Sequence, residues 1–344
     1  MIPLTMDHVT IVVPDIEEAQ ADFCGLGFAD TEYALTGEHG IKSLVLPFVD
    51  GSSLHLISLP MAWRRFVLKI MRRVGALDRA FPNTVPPLRR MIEGLSFDNG
   101  LADYAVRVSA EDGSVQSCWK NRMNVDGGYS ITQRRSDGLE VSFKILRLPD
   151  IEQHLPLILQ DVTPQIMRIP APENCYHVNG ARGIAHVVIP VKNVIVARPI
   201  WEALFGPTVS IDDMDIADAK VAEGYSVGRS RIVLVEPIMD TEVMAWFISH
   251  GSRPFEVGLW VRHDLGIRGL PVDLAHGARV KLLPMPAEMA DPAPWSADDM
   301  KQSVEARAAW EWEQQRSQYR DLRSAPDFKL PDNWKDIFTK TQQK

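Results

Sequence analysis

One phrase occurs twice in this chain. Asp7-His8-Val9-Thr10-Ile11-Val12-Val13-Pro14-Asp15 stands at its start, and Ala185-His186-Val187-Val188-Ile189-Pro190-Val191-Lys192-Asn193 repeats it in the second half. Each copy sets a histidine near the start of a β-branched strand, followed by a helix-like stretch and then Gly-Phe or Phe-Gly. A duplicated strand implies a duplicated supersecondary unit. Imidazole is both a common metal ligand and an acid/base group, so the repeat bears on chemistry as well as on fold.

The first copy reads as a strand over about Thr5–Val13. Alternation puts His8, Thr10 and Val12 on one face and Val9, Ile11 and Val13 on the other. Asp15 is the expected N-cap of a helix with Ile16, Ala19, Phe23 and Leu26 at helical spacing, ended by Gly25 and Gly27. Two strand-like runs follow, Ser43–Val49 and Ser52–Leu59, joined by the turn Asp50-Gly51. In the second run Ser53, His55 and Ile57 share a face. The unit is βαβββ.

The same order recurs three more times. Leu101–Ser109 is a strand, Glu111–Asn124 a helix, and Tyr129–Arg135 and Glu140–Leu146 form a hairpin around Asp137-Gly138. A third unit runs from Gly183 through a helix at Pro199–Phe205 to a strand at Arg231–Val235. A fourth begins at Phe255–Val261 and ends near Val280–Leu283. The fold class is α+β, built from repeated βαβββ modules. Residues 1–170 hold two modules, 171–290 a second domain, and 291–344 a C-terminal helical extension.

Segment 61–95 is an insertion with eight basic residues (Arg64, Arg65, Lys69, Arg72, Arg73, Arg79, Arg89, Arg90) against Asp78 and Glu93. Trp63, Phe66, Val67, Ile70, Met71 and Val74 recur there at helical spacing. Residues 61–73 are open to three readings: a lid over a pocket, a membrane-surface helix, or a docked helix with a solvated face. The stretch from Ser296 to about Leu322 carries Trp310 and Trp312 and reads as a packing or dimer-contact helix, which leaves both a monomer and a homodimer open.

A net charge of −8 argues against nucleic acid as the main partner. Three cysteines, Cys24, Cys118 and Cys175, without CxxC spacing argue against a disulfide framework or structural zinc site. The start Met-Ile-Pro-Leu-Thr-Met has no basic n-region, and no uncharged run reaches the length of a membrane span. The expected location is cytoplasmic.

The stretches Asp7–Asp15, Gly37–Leu46 with Leu54–Ile57, Gly100–Val106, Arg135–Gly138, Leu155–Asp161 with Arg168, and His177–His186 together resemble the vicinal-oxygen-chelate superfamily. That superfamily contains glyoxalase I and the type I extradiol dioxygenases, and the nearest branch is that of the glyoxalase-like proteins. The resemblance implies curled mixed sheets whose concave face holds a divalent metal, with ligands from the first and last strands of paired modules. Carried over by position, the first-strand sites are His8, Asp103, His186 and Glu256. The last-strand sites are His55 in module one, Ser142 or Glu140 in module two, and Val233 in module three.

If modules one and two pair, His8, His55 and Asp103 converge as a two-imidazole, one-carboxylate site suited to Fe(II) or Mn(II), with Zn(II) and Ni(II) as further candidates. His186 and Glu256 are the second choice for a metal. His39 in Gly37-Glu38-His39-Gly40, Tyr104 and Tyr129 are candidate substrate contacts. The function this implies is metal-dependent lyase, isomerase or ring-cleaving dioxygenase chemistry on a small oxygenated molecule. The alternative is a metal-free protein of the same fold that binds and sequesters a small molecule.

Overall fold

In the computed structural model the described residues are 4–31, 34–36, 40–108, 126–134, 140–147, 155–168, 172–214, 216, 219–263 and 266–289. The expected helix over Glu111–Asn124, the C-terminal helix and His39 lie outside them. By its contacts the chain divides into one compact unit through Ser296 and a second from Ala297 to Lys344.

The first module is β1 (Leu4–Val12), α1 (Ile16–Gly25), β2 (Ala34–Thr36), β3 (Lys42–Pro47) and β4 (Ser53–Ser58). The insertion forms α2 (Ala62–Arg73), α3 (Leu77–Ala80) and α4 (Pro86–Leu95). The second module supplies β5 (Gly100–Val108), β6 (Asp126–Arg134), β7 (Glu140–Arg147) and β8 (Leu157–Asp161). These strands make one eight-stranded sheet in the order β2-β3-β4-β1-β5-β8-β7-β6, so each module presents its first and last strands at the centre. β1 runs parallel to β4 and antiparallel to β5, and β5 runs parallel to β8.

A second sheet repeats the scheme in shorter form. It contains β9 (Ala181–Pro190), β10 (Ala219–Val227), β11 (Ser230–Pro237), β12 (Glu256–Val261) and β13 (Val280–Pro284), in the order β10-β11-β9-β12-β13. α5 (Val194–Phe205) follows β9, and α6 (Glu242–His250) precedes β12. The helix expected from Pro199 starts five residues earlier, because Asn193 accepts from Val196 N and caps it; Pro199 sits inside. No strand forms between β12 and β13 among the described residues; a single isolated bridge, Gly269 to Lys281, stands there.

Apolar alternation decides which face is buried. Val9 and Ile11 of β1, Leu54 and Leu56 of β4, and Val106 of β5 turn to the back of the first sheet and pack on Ile16, Ala19 and Phe23 of α1. Asp15 caps α1 by accepting from Glu17 N and Glu18 N. Val187 and Ile189 of β9 and Trp201 of α5 join the same cluster, so the backs of both sheets share one core. His8, Thr10 and Val12 are left on the front face of the first sheet. One end of that face is covered by the insertion, where Leu68, Ile92 and Leu95 meet Val12, Ile57 and Ala102. At the other end Ala105, Phe143, Ile145 and Leu159 form an apolar wall.

The modules are pinned together at the β3–β4 turn. Asp50 Oδ1 accepts from Ser52 N at 2.8 Å and from Ser52 Oγ at 2.6 Å, and Ser52 Oγ in turn accepts from Ile184 N of β9. The carboxylate lies directly over Gly183, where a Cβ would come 1.8 Å from Asp50 Oδ2. Burial lifts the Asp50 carboxyl to about 6, against the pull of Ser52, Arg229 and Arg107. Gly183→Ala is therefore expected to destabilise the protein by about 1–3 kcal/mol, the range for overpacking. Asp50→Ala in the same chain should recover part of that loss. A denaturant-unfolding cycle in which the two losses simply add would contradict this packing.

Candidate functional site

In a regular strand Asp7 and His8 would face opposite ways. The β1–β5 ladder slips between Met6 and His8, leaving Asp7 as the extra residue of a bulge. Its buried carboxylate thereby reaches the neighbouring ring: His8 Nδ1 lies 2.7 Å from Asp7 Oδ1. β5 slips at Ala102, just before Asp103, and β9 slips at Ala185, just before His186. Each of these site residues follows a bulge.

Register then fixes the last-strand positions. Thr10, two residues after His8, stands opposite His55 of β4. The same step from Asp103 leads through Ala105 to Leu157 of β8. The strand paired with β5 is β8, not β7, so the last-strand place in module two belongs to Leu157 rather than to Ser142 or Glu140. From His186 the step leads through Val188 to Val233, as expected, and from Glu256 through Gly258 to Lys281 of β13.

His8 and His55 come together on the front face as parallel rings, with centroids 3.9 Å apart and planes within 5°. Behind them runs a chain of charge. Arg168 donates to Asp7 at 2.7 and 3.2 Å and to Asp161 at 2.6 and 3.1 Å, with its guanidinium 5.5 Å from the Phe143 ring centre. Burial alone would raise the Asp7 carboxyl, but Arg168 and the His8 bond hold it well below the usual carboxylate range. Burial and the nearby His8 push the His55 imidazole well below its ordinary value, against the pull of Asp7, so His55 is neutral. With Asp7 ionised, a neutral His8 carries its proton on Nδ1, toward the carboxylate, and Nε2 is the acceptor nitrogen.

Asp103 occupies the same face but is engaged elsewhere. Arg90 of α4 donates to both of its carboxylate oxygens, and Tyr104 N also donates to it. On the second sheet His186 Nε2 lies 3.0 Å from Glu256 Oε1, and Lys281 Nζ lies 3.1 Å from Glu256 Oε2. Gly258 makes room for that ring, since a Cβ there would come within 2.4 Å of it. Tyr104, a candidate substrate contact, faces the opposite way and is fully buried in the core behind the sheet. Tyr129 stands opposite Ile145 of β7, on the side of the apolar wall, and is half-buried.

These donors do not fit a metal as they are arranged. An imidazole binds a metal through an in-plane lone pair, and two parallel stacked planes share no point at which one ion could sit. Both Asp103 oxygens face a guanidinium, and Leu157 offers no donor. Among the described residues no group of three or more His, Cys, Asp or Glu side chains is placed to hold a metal ion. Arg90 and Lys281 put fixed positive charge beside the two carboxylates instead. Asp7, Arg168, Arg90 and Lys281 were not singled out as site residues by pattern; the one sequence signal for Asp7 was an acid directly before the repeated histidine. A polar cavity of about 470 Å³ lies elsewhere, lined by Arg65, Lys69, Asp98, Asp273 and His276, none of them on the front face.

The glyoxalase-like domain family matches residues 6–205, the span that contains the whole front face. The chain belongs to the glyoxalase-like domain family. A hypothetical protein from Staphylococcus aureus is similar over 82% of this chain and 99% of its own, at 12% identity and a TM-score of 0.55. A triple mutant of 4-hydroxymandelate synthase from Streptomyces coelicolor covers 89% of this chain and 98% of its own at 15% identity and 0.46. Methylmalonyl-CoA epimerase from Mycobacterium tuberculosis covers 32% and 92% at 15% identity and 0.26. At such identities only the first speaks to this chain, and to its fold alone. No curated protein matches.

Removing Arg168 strips Asp7 and Asp161 of their paired donors and leaves Arg107, 3.9 Å from Asp7, as the remaining guanidinium beside them. Arg168→Met is expected to cost about 3–5 kcal/mol at pH 7. The Asp7 contribution is present above the ordinary carboxylate range and is lost as pH falls through its lowered value. In the variant the carboxylates protonate readily, so the gap to wild type should narrow in acid. Chemical unfolding at pH 7 and pH 4 measures this; an equal gap at both would contradict the charge chain.

Proposed function

We propose that this protein is an enzyme of proton transfer on a small oxygenated organic molecule, working in the lyase or isomerase manner at the front face of the first sheet. The observation that carries the reading is the Asp7–His8 pair: a buried ionised carboxylate fixes the tautomer of a half-buried imidazole, leaving Nε2 as a proton acceptor. His8 takes a proton from a carbon next to a carbonyl, and the imidazolium that forms is stabilised by Asp7. Delivery of that proton by His8 to the neighbouring carbon gives an isomer; delivery to a leaving group on that carbon, as its bond to carbon breaks, gives a lyase product. His55 stays neutral beside it, so only one ring of the stacked pair carries charge at a time. The wall of Phe143, Ile145 and Leu159 suits an apolar portion of the substrate.

The metal-dependent route that the family suggests is not adopted, because the stacked rings and the Arg90-bound Asp103 do not form a cation site. The same features favour a second reading, a metal-free protein that sequesters its ligand.

Proton abstraction is tested by NMR in D2O with a panel of carbon acids: 2-oxo acids, hydroxyketones and acyl thioesters. Wild type is expected to exchange C–H for C–D in at least one class, with His8→Asn reducing the rate about 10²-fold or more. Exchange that is indifferent to His8→Asn would exclude His8 as the base. Binding without exchange would favour sequestration. Metal titration of the untagged protein should show no ion held jointly by His8 and His55. One equivalent of Mn(II), Fe(II), Zn(II) or Ni(II), lost in both His8→Ala and His55→Ala, would restore the metalloenzyme.

A further inference from the structure

Helix α2 is docked inside out. At about 100° per residue, Phe66, Ile70, Trp63, Val74, Val67 and Met71 fall in one continuous arc, bounded by Arg73 on one side and Arg64 on the other. Most of that arc faces away from the protein: Trp63 is 62% exposed, Phe66 63% and Val74 69%, while Val67 and Met71 at its edge are half-buried. The opposite arc holds Leu68, Arg72, Arg65 and Lys69, and it faces inward. Arg65 is buried and donates to the carbonyls of Leu95 and Phe97 and to the Asn99 side chain. Arg72 donates to the Ser96 carbonyl at 3.4 Å and lies 3.9 Å from the Phe97 ring centre, and Lys69 pairs with Asp98 at 2.6 Å. The polar arc thus anchors the helix on the C-terminal end of α4, where free carbonyls attract cations. An amphipathic helix on a globular protein ordinarily turns its apolar stripe inward; this one leaves most of it in water.

We infer that the outward arc of α2 docks on an anionic lipid surface. The charge distribution selects this occupant. Of the eight basic residues of segment 61–95, Arg65, Lys69, Arg72, Arg89 and Arg90 are engaged within the protein, and Arg64, Arg73 and Arg79 stay exposed in a chain whose net charge is −8. The two acids of the segment, and Asp98 beside α2, are already engaged: Asp78 with Arg89, Glu93 with Arg253 and Asp98 with Lys69. Arg64 and Arg73 are exposed and bracket the apolar arc, so in a two-fold contact between copies the same patch would face itself and set like charges together. Headgroups of an anionic bilayer meet those arginines while Trp63 and Phe66 enter the interface. α2 has 12 residues, far too short to cross a bilayer, and no described helix is long and apolar enough to do so. The helix lies on the surface and does not span it. The inference is independent of the chemistry proposed for His8.

The test is co-flotation of the full chain with vesicles of phosphatidylcholine alone and of phosphatidylcholine with about 30% phosphatidylserine. Wild type is expected to float with the anionic vesicles and to be released by salt. Phe66→Ser with Ile70→Ser, both at exposed positions, should lower the partition constant at least tenfold with circular dichroism and melting unchanged. Arg64→Gln and Arg73→Gln should each lower it about fivefold, on anionic vesicles only. Failure of the wild type to bind anionic vesicles overturns the inference, as does binding that the serine variant retains. A dimer that the Phe66→Ser, Ile70→Ser chain converts to monomer would overturn it too, assigning the arc to a second copy.

Discussion

A single buried guanidinium holds the front face together. Arg168 is shared between Asp7 on the β1 bulge and Asp161 at the end of β8, and so ties the first strand of module one to the last strand of module two. A buried charge is tolerated only when paired and hydrogen-bonded, and here each carboxylate receives two donors from the same side chain. Asp7 therefore stays ionised, His8 is fixed in one tautomer, and His55 stacks on a ring whose proton position is decided. The bulge makes this possible, since a regular strand would point Asp7 into the apolar core behind the sheet.

The four modules show how one geometry diverges. The first-strand positions hold His8, Asp103, His186 and Glu256, and the last-strand positions hold His55, Leu157, Val233 and Lys281. No pair repeats. In module one, two imidazoles stack. In module two a carboxylate is answered by Arg90 from the inserted helices, while the second sheet links His186, Glu256 and Lys281 in one bonded row. Fixed cations beside Asp103 and Glu256 leave the first module as the place where a base keeps an open lone pair.

Much of the architecture was legible in the sequence because a period of two exposes its faces. The alternation through His8, Thr10 and Val12, and through Ser53, His55 and Ile57, correctly puts both histidines on one surface. The sequence leaves the pairing of modules open; one sheet holds the strands of modules one and two. What alternation cannot show is the bulge, because one extra residue changes the facing of Asp7 without changing the pattern around it. Arg168 comes from a turn after β8, remote in sequence from the carboxylate it neutralises. Asp103 reads as a free ligand until α4 brings Arg90 to it. Tyr104 fails as a substrate contact for the reason that Asp103 holds its place: adjacent residues of β5 face opposite ways. In α2 the apolar spacing was plain, but its direction was set by arginines binding the carbonyls after α4, a long-range preference that periodicity does not contain.

The central claim is that Asp7 fixes His8 as a base while His55 stays neutral beside it. Long-range proton–nitrogen NMR of the imidazole rings across pH reads this directly, with His8→Asn and His55→Asn assigning the signals. The account predicts that His8 carries its proton on Nδ1 with a bare Nε2 when neutral, and that His55 titrates well below an ordinary histidine. A neutral His8 protonated on Nε2, or a His55 that titrates with an ordinary midpoint, would contradict it.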